Sequence, residues 1–109
     1  MIIVNYDTFV QMPIGTVYCE YSDVVFGDLY IKGETINNGK DWFYRELVGN
    51  PEFNSDIYTE ACVPMKEGKH INPDYDTSQR DGMFDYDRQF VVYSKEDIIS
   101  LINTLKELV

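Results

Sequence analysis

The sequence predicts an α+β fold: an antiparallel sheet of about five strands, a short N-terminal helix, and one C-terminal amphipathic helix packed on one face of the sheet. Three observations carry this. Apolar residues alternate with polar ones over short runs in the first half of the chain. Between two such runs stands Asn37-Asn38-Gly39-Lys40, whose Asn and Gly residues tolerate the positive φ angles of a tight hairpin turn. Near the C-terminus the apolar residues change to helical spacing. At 109 residues the chain is expected to form a single domain, 1–109.

The elements follow in order. After a short N-terminal strand, Asn5 is placed to cap one or two helical turns over Tyr6 to Met12, which Pro13 and Gly15 stop. Thr16 to Tyr21 alternates Val17, Cys19 and Tyr21 against Thr16, Tyr18 and Glu20, a half-buried strand. Ser22-Asp23 turns the chain into a second run, Val24 to Lys32, where Gly27 suggests a bulge. The run ending at Ile36 should pair through the Asn-Gly turn with Asp41 to Val48, and Trp42, Phe43 and Tyr44 favour strand over helix there. Beyond the Gly49-Asn50-Pro51 break, Ile57 to Val63 reads as a strand, and Met83 to Tyr93 as a long one with Phe84, Tyr86, Phe90 and Val92 on one face. The last element is a helix. Ser94 is its N-cap, with Glu96 and Asp97 at the positive end of the dipole and Lys106 in the last turns. Ile98, Leu101, Ile102, Leu105, Leu108 and Val109 form one apolar stripe, read as core. Pro64 to Gly82 fits neither period and is expected to be a long loop, the first place to look for a site.

Composition limits the partners. Nineteen acidic against nine basic residues give a net charge of -10, which repels nucleic acid and anionic membranes, so a charged partner should be basic. A chain that is 44% hydrophobic and 15% aromatic is too apolar to be a disordered acidic tail. The N-terminus has neither a basic region nor a long apolar run, so a cytoplasmic location is expected. Cys19 and Cys62 lie outside any CxxC pair and sit in strand-like runs, which suits two buried thiols.

No catalytic signature is present, and neither enzyme activity nor a cofactor is expected. His70 is the sole histidine, which excludes a Ser-His-Asp triad and multi-histidine zinc sites; a metal-dependent enzyme built on His70 and Cys62 has no recognisable ligand spacing behind it. Asp74-Tyr75-Asp76-Thr77-Ser78 opens like a calcium loop, but Gln79 stands where the loop needs Gly and Asp85 where it needs Glu. No glycine pattern forms a phosphate cradle.

Two constellations remain. Acids are dispersed along the chain and then crowd together, which nominates Glu46, Asp74, Asp76, Asp81, Asp85 and Asp87 as a contact face for a basic partner. A solvated surface serving only solubility explains the same charge. The second set mixes aromatic and basic residues, Trp42, Tyr44, Arg45, Tyr75, Arg80 and Arg88, and would suit a small pocket for a nucleotide; an aromatic core with rim cations is the simpler explanation of the same residues.

Three blocks, Met12-Pro13-Ile14-Gly15-Thr16-Val17-Tyr18, Phe26-Gly27-Asp28-Leu29-Tyr30-Ile31-Lys32-Gly33, and Arg80-Asp81-Gly82-Met83-Phe84-Asp85 with Val92-Tyr93-Ser94-Lys95-Glu96-Asp97-Ile98, resemble a family of small uncharacterised proteins encoded by phages and prophages of Gram-positive bacteria. The resemblance implies an accessory phage gene acting in the host-cell cytoplasm, of the kind that binds and disables host factors. The expected function is therefore an acidic binding protein that antagonises a basic host nuclease or defence factor, with nucleic-acid mimicry as the expected means. A nucleotide-sequestering protein is the alternative. Symmetric pairing through an exposed strand or the C-terminal stripe leaves a homodimer open.

Overall fold

The computed structural model describes residues 1–51 and 55–109, with residues 55–59 described by their backbone path. The elements are β1 (Ile2–Asn5), α1 (Tyr6–Val10), β2 (Val17–Ser22), β3 (Val25–Phe26), β4 (Tyr30–Ile36), β5 (Asp41–Glu46), α2 (Ser55–Lys66), β6 (Gln79–Arg80), β7 (Gln89–Val92) and α3 (Lys95–Glu107). The fold is α+β. All strands pair antiparallel in one seven-stranded sheet of order β1-β7-β2-β4-β5-β6, with β3 on the distal end of β2. The predicted Asn-Gly turn joins β4 to β5: Asn37, Asn38 and Gly39 have φ of +52, +56 and +80°.

Strand alternation gives the sheet two faces. On the first, Val4, Tyr18, Trp42, Phe90 and Val92 meet Tyr6, Phe9 and Val10 of α1 in a core made largely of aromatic rings. Phe9 is its centre, with ring centroids 4.1 Å from Phe90, 4.4 Å from Tyr18 and 4.9 Å from Trp42. Such pairs add about 0.5–1.5 kcal/mol each beyond area burial. Trp42 Nε1 donates to the Tyr18 hydroxyl at 3.0 Å, so the indole is satisfied inside the core. Helix α1 forms where Asn5 accepts from the Thr8 amide at 2.9 Å. It is tied to β4 through the Thr35 hydroxyl, which donates to the Val10 carbonyl at 2.7 Å. Lys32 is buried beside this tie and its ammonium donates to Thr35 Oγ1 and the Gly33 carbonyl, at 2.6 and 3.2 Å. Five residues of helix cover only part of the face, and the uncovered remainder becomes the site described below.

The second face carries Val17, Cys19, Val91 and Tyr93, with α3 alongside. Cys19 is a buried thiol 3.8 Å from the Tyr93 hydroxyl, and Cys62 is a half-buried one. The start of α3 is fixed by a capping box between Ser94 and Asp97 and by the terminal ammonium of Met1, 2.8 Å from Asp97.

Several expectations are corrected. The sheet has seven strands, two of them only two residues long. The apolar stripe of α3 is not core: no residue of the helix is buried, because only its first turns reach the sheet, where Ile98 and Leu101 face Val17, Leu29 and Tyr93 across a cavity of about 270 Å³. The run Val24 to Lys32 breaks into β3 and β4 at Gly27–Leu29, and the β4–β5 bulge lies instead between Lys32 and Thr35. There, a Cβ on Gly33 would stand 3.1 Å from the Phe43 carbonyl oxygen. Ile57 to Val63 lies in α2, not in a strand. Of Met83 to Tyr93 only Gln89–Val92 is strand, because Asp81 and Asp85 accept from the backbone amides of Met83 and Asp87 (3.2 Å each) and fold that stretch into local turns. The expected long loop is partly regular, since α2 runs to Lys66 and β6 covers Gln79–Arg80.

Candidate partner-binding furrow

The site begins at Asp41, the first residue of β5. Its buried carboxylate accepts from the Trp42 and Gly82 amides at 2.9 Å each and lies 3.2 Å from Arg80 Nε. These contacts draw the chain after β6 across the end of the first face, which brings Asp81 to Arg88. Arg88 precedes Phe90 by two residues and so points to the same face. It donates to both Asp81 oxygens, at 3.0 and 2.6 Å, and to Glu20 Oε1 at 2.6 Å. Its guanidinium lies 5.2 Å from the Trp42 ring centroid and 5.4 Å from that of Phe90. Burial opposes the charge on Arg88, but the pairs with Asp81 and Glu20 outweigh it and hold its pKa above the ordinary value.

Past this triad the face is open. Three adjoining clefts of about 450, 320 and 390 Å³ run along it. Asp28 and Gly27 line both the first and second, Glu20 and Met83 both the second and third, so together they make one furrow. Its middle is lined by Tyr18, Tyr30 and Tyr44, all on the core-facing side by register. Seven carboxylates line its length: Glu46 and Asp28 at one end, Glu20 and Asp81 in the middle, Asp23, Asp85 and Asp87 at the other. Arg88 is the one cation among these lining residues, and it is already paired. Asp23, Asp28, Glu46, Asp85 and Asp87 have no cation in ion-pair contact among the described residues.

The electrostatics follow from this imbalance. Burial, and then the charge of Asp28, pushes the Glu46 carboxyl above its ordinary pKa. Burial, then Glu46 and Asp28, pushes the Tyr30 hydroxyl up to about 12. Burial likewise raises Tyr18 and Tyr44, with Asp81 adding to both. A bound cation would relieve this crowding of negative charge.

Of the acids nominated from sequence, the structure brings Glu46, Asp81, Asp85 and Asp87 into the furrow, with the Asp81 charge engaged by Arg88. Asp74 and Asp76 do not line it. Asp74 accepts from the amides of Asp76 and Thr77, at 2.8 and 3.3 Å, and from the Thr77 hydroxyl. The Thr77 hydroxyl and the Asp76 amide hold its carboxyl below the usual range, so this acid caps a turn. The turn is anchored to β5 by Arg45, which donates to the Tyr75 carbonyl at 2.8 Å.

The aromatic and basic set does not converge. Trp42 is fully buried and Arg88 is sequestered by its two carboxylates. Tyr44 belongs to the first face, while Arg45 and Arg80 register with the second, opposite Ile31 and Phe43. Tyr75 is exposed beside Arg45. His70 is exposed on a loop, with its Nε2 3.2 Å from Asn72 Oδ1. No group of three or more metal-ligating side chains occurs among the described residues, and no described helix is long and apolar enough to cross a membrane.

Sequence reasoning missed Glu20, Asp23 and Asp28. Glu20 was within reach, since it alternates with Tyr18 on a recognised strand and must share its face. Asp28 gave no such signal, because the Gly27 break removes it from any strand period. No family model, curated protein or solved structure matches the chain.

Proposed function

We propose that this is a non-catalytic binding protein whose furrow receives a basic segment of a partner protein. One observation carries this: seven carboxylates line a single concave strip, and the only cation among its lining residues is already consumed. Such a strip attracts a cationic chain from a distance and repels nucleic acid and anionic lipid. The tyrosine floor adds flat apolar contact for the aliphatic stems and guanidinium planes of Lys and Arg. A concave strip fits a protruding arm or loop better than it imitates the convex double row of phosphates on a duplex. A nucleic-acid-handling protein of the host, whose basic arms normally meet phosphate, is the class of partner we propose. The resemblance to phage-encoded proteins agrees with that setting.

The test is capture from a lysate of Gram-positive bacteria on the immobilised protein at low salt, followed by a salt gradient. Two variants serve as comparisons: D28N/E46Q/D85N/D87N in the furrow, and D7N/E34Q/E60Q/E67Q outside it with the same change in charge. A basic protein that is retained by the wild type and the outside variant, released by salt and lost with the furrow variant is the expected result. Equal loss with both variants, or capture indifferent to salt, would overturn the proposal.

A further inference from the structure

We propose that the middle of the furrow seats an arginine side chain of the partner's basic segment and selects it over lysine. This rests on the proposed furrow function and names the residue that the furrow reads. The middle compartment, of about 320 Å³, is walled by Tyr18, Tyr30 and Tyr44. Successive ring centroids are 5.7 and 4.9 Å apart at interplanar angles of 45 and 69°, so the wall is folded and not flat. Tyr30 and Tyr44 are half-buried and keep ring surface for a ligand. A planar, weakly hydrated guanidinium stacks on such a surface, whereas the lysine ammonium is a compact, strongly hydrated point charge.

The carboxylates suit a fork of donors. The Gly27 amide donates to the Glu20 carbonyl at 2.9 Å, which keeps Asp28 near Glu20 across the β2–β3 hairpin. Arg88 takes both oxygens of Asp81 but only Oε1 of Glu20. Asp28 and Glu20 Oε2 therefore keep their capacity to accept among the described residues. A guanidinium presents five N–H donors in one plane and can serve two carboxylates while its face lies on a ring.

The chain already uses this chemistry once. Arg88 is held by Asp81 and Glu20, with its guanidinium 5.2 Å from the Trp42 centroid and 5.4 Å from that of Phe90. The middle compartment shares Asp81 and Glu20 with that seat, adds Asp28, and has three tyrosines in place of the two rings. The furrow then continues on both sides, to Glu46 in one direction and to Asp23, Asp85 and Asp87 in the other. Cations flanking the arginine in a basic segment meet these acids, whereas the carboxylate of free arginine would be repelled by them.

Isothermal titration calorimetry of the full chain with two acetylated, amidated heptapeptides of equal charge tests this. One is lysine throughout and the other has arginine at its centre. We expect the arginine peptide to bind about tenfold more tightly at the same salt concentration. Ethylguanidinium should displace it where ethylammonium at the same concentration does not, a readout that needs no variant. Y44L, confirmed as folded by circular dichroism, should lose most of the preference. Equal affinities for the two peptides, equal displacement by the two small cations, or a preference that Y44L leaves intact would overturn the arginine seat. The furrow function survives those results where both peptides are lost with D28N/E46Q/D85N/D87N and retained by D7N/E34Q/E60Q/E67Q. Binding of neither peptide to the wild type would overturn both.

Discussion

Glu46 faces Tyr30 across the β4–β5 ladder and shares the end of the furrow with Asp28. Its carboxyl is held above the ordinary range by burial and then by Asp28. A folded-state pKa raised above the unfolded value means that, between the two, the folded chain holds more protons than the unfolded one. Stability from this group is therefore full below the ordinary carboxylate range and is lost as pH rises through the folded pKa. At neutral pH the ionised group is a liability that a basic partner would remove. E46Q should then raise the thermal midpoint at pH 7, and the gain over wild type should vanish as the pH falls below about 4, where Glu46 is itself neutral. A gain of the same size at both pH values would show that packing, and not charge, is responsible. Arg88 is the counterpart. It holds the middle of the furrow together because Asp81 and Glu20 would otherwise face each other unpaired, and breaking a buried pair by removing one partner typically costs about 3–5 kcal/mol.

The β2–β3 hairpin shows the same preference for display over stability. Its two-residue turn, Asp23-Val24, has φ of +47 and +64°, a geometry that Asn-Gly normally supplies and that the β4–β5 turn of the same chain fills with Asn, Asn and Gly. Val24 has a β-branched side chain in that left-handed region and is 81% exposed, so it gains almost no burial to offset the conformation. V24G should stabilise the protein by about 1 kcal/mol in urea denaturation, the usual cost of a left-handed non-glycine residue; a loss of stability would mean that Val24 makes a packing contribution not visible in its exposure. Turn chemistry was legible where the residues matched the geometry, as at Asn37–Gly39, and not where Asp23-Val24 departed from it. The caps of α1 and α3 were legible for the same reason: Asn5 and Ser94 act on amides three residues away. Helix α2 was not. Ile57, Tyr58, Thr59 and Val63 carry β propensity, although Ile57, Ala61 and Met65 also recur at four-residue helical spacing. Phe84 and Tyr86 suggested strand, but the neighbouring aspartates bind the backbone locally and prevent it.

For the whole molecule, the sequence pattern identified the apolar residues but not which face each would cover. The stripe on α3 and the ring cluster around Phe9 look equally like core in one dimension. The ring cluster fills one face with α1, and only the first turns of α3 meet the other. The Cα radius of gyration of 15.7 Å is accordingly larger than the roughly 13 Å of a compact chain of this length. The net charge of -10 was legible from composition, and four of the six nominated acids lie together in the furrow. The concavity arises from a helix too short to cover its sheet, which no residue count reveals. Titration of the ¹⁵N-labelled protein with an acetylated deca-arginine peptide, followed by amide chemical shifts, would locate where a cationic chain binds. The expected shifts lie at Glu20, Asp23, Asp28, Tyr30, Glu46, Asp85 and Asp87 and shrink steeply with added salt, while Asp7, Glu34 and Glu67 stay unmoved. Shifts spread evenly over all exposed acids would contradict the furrow as a binding site and leave the charge a matter of solubility alone.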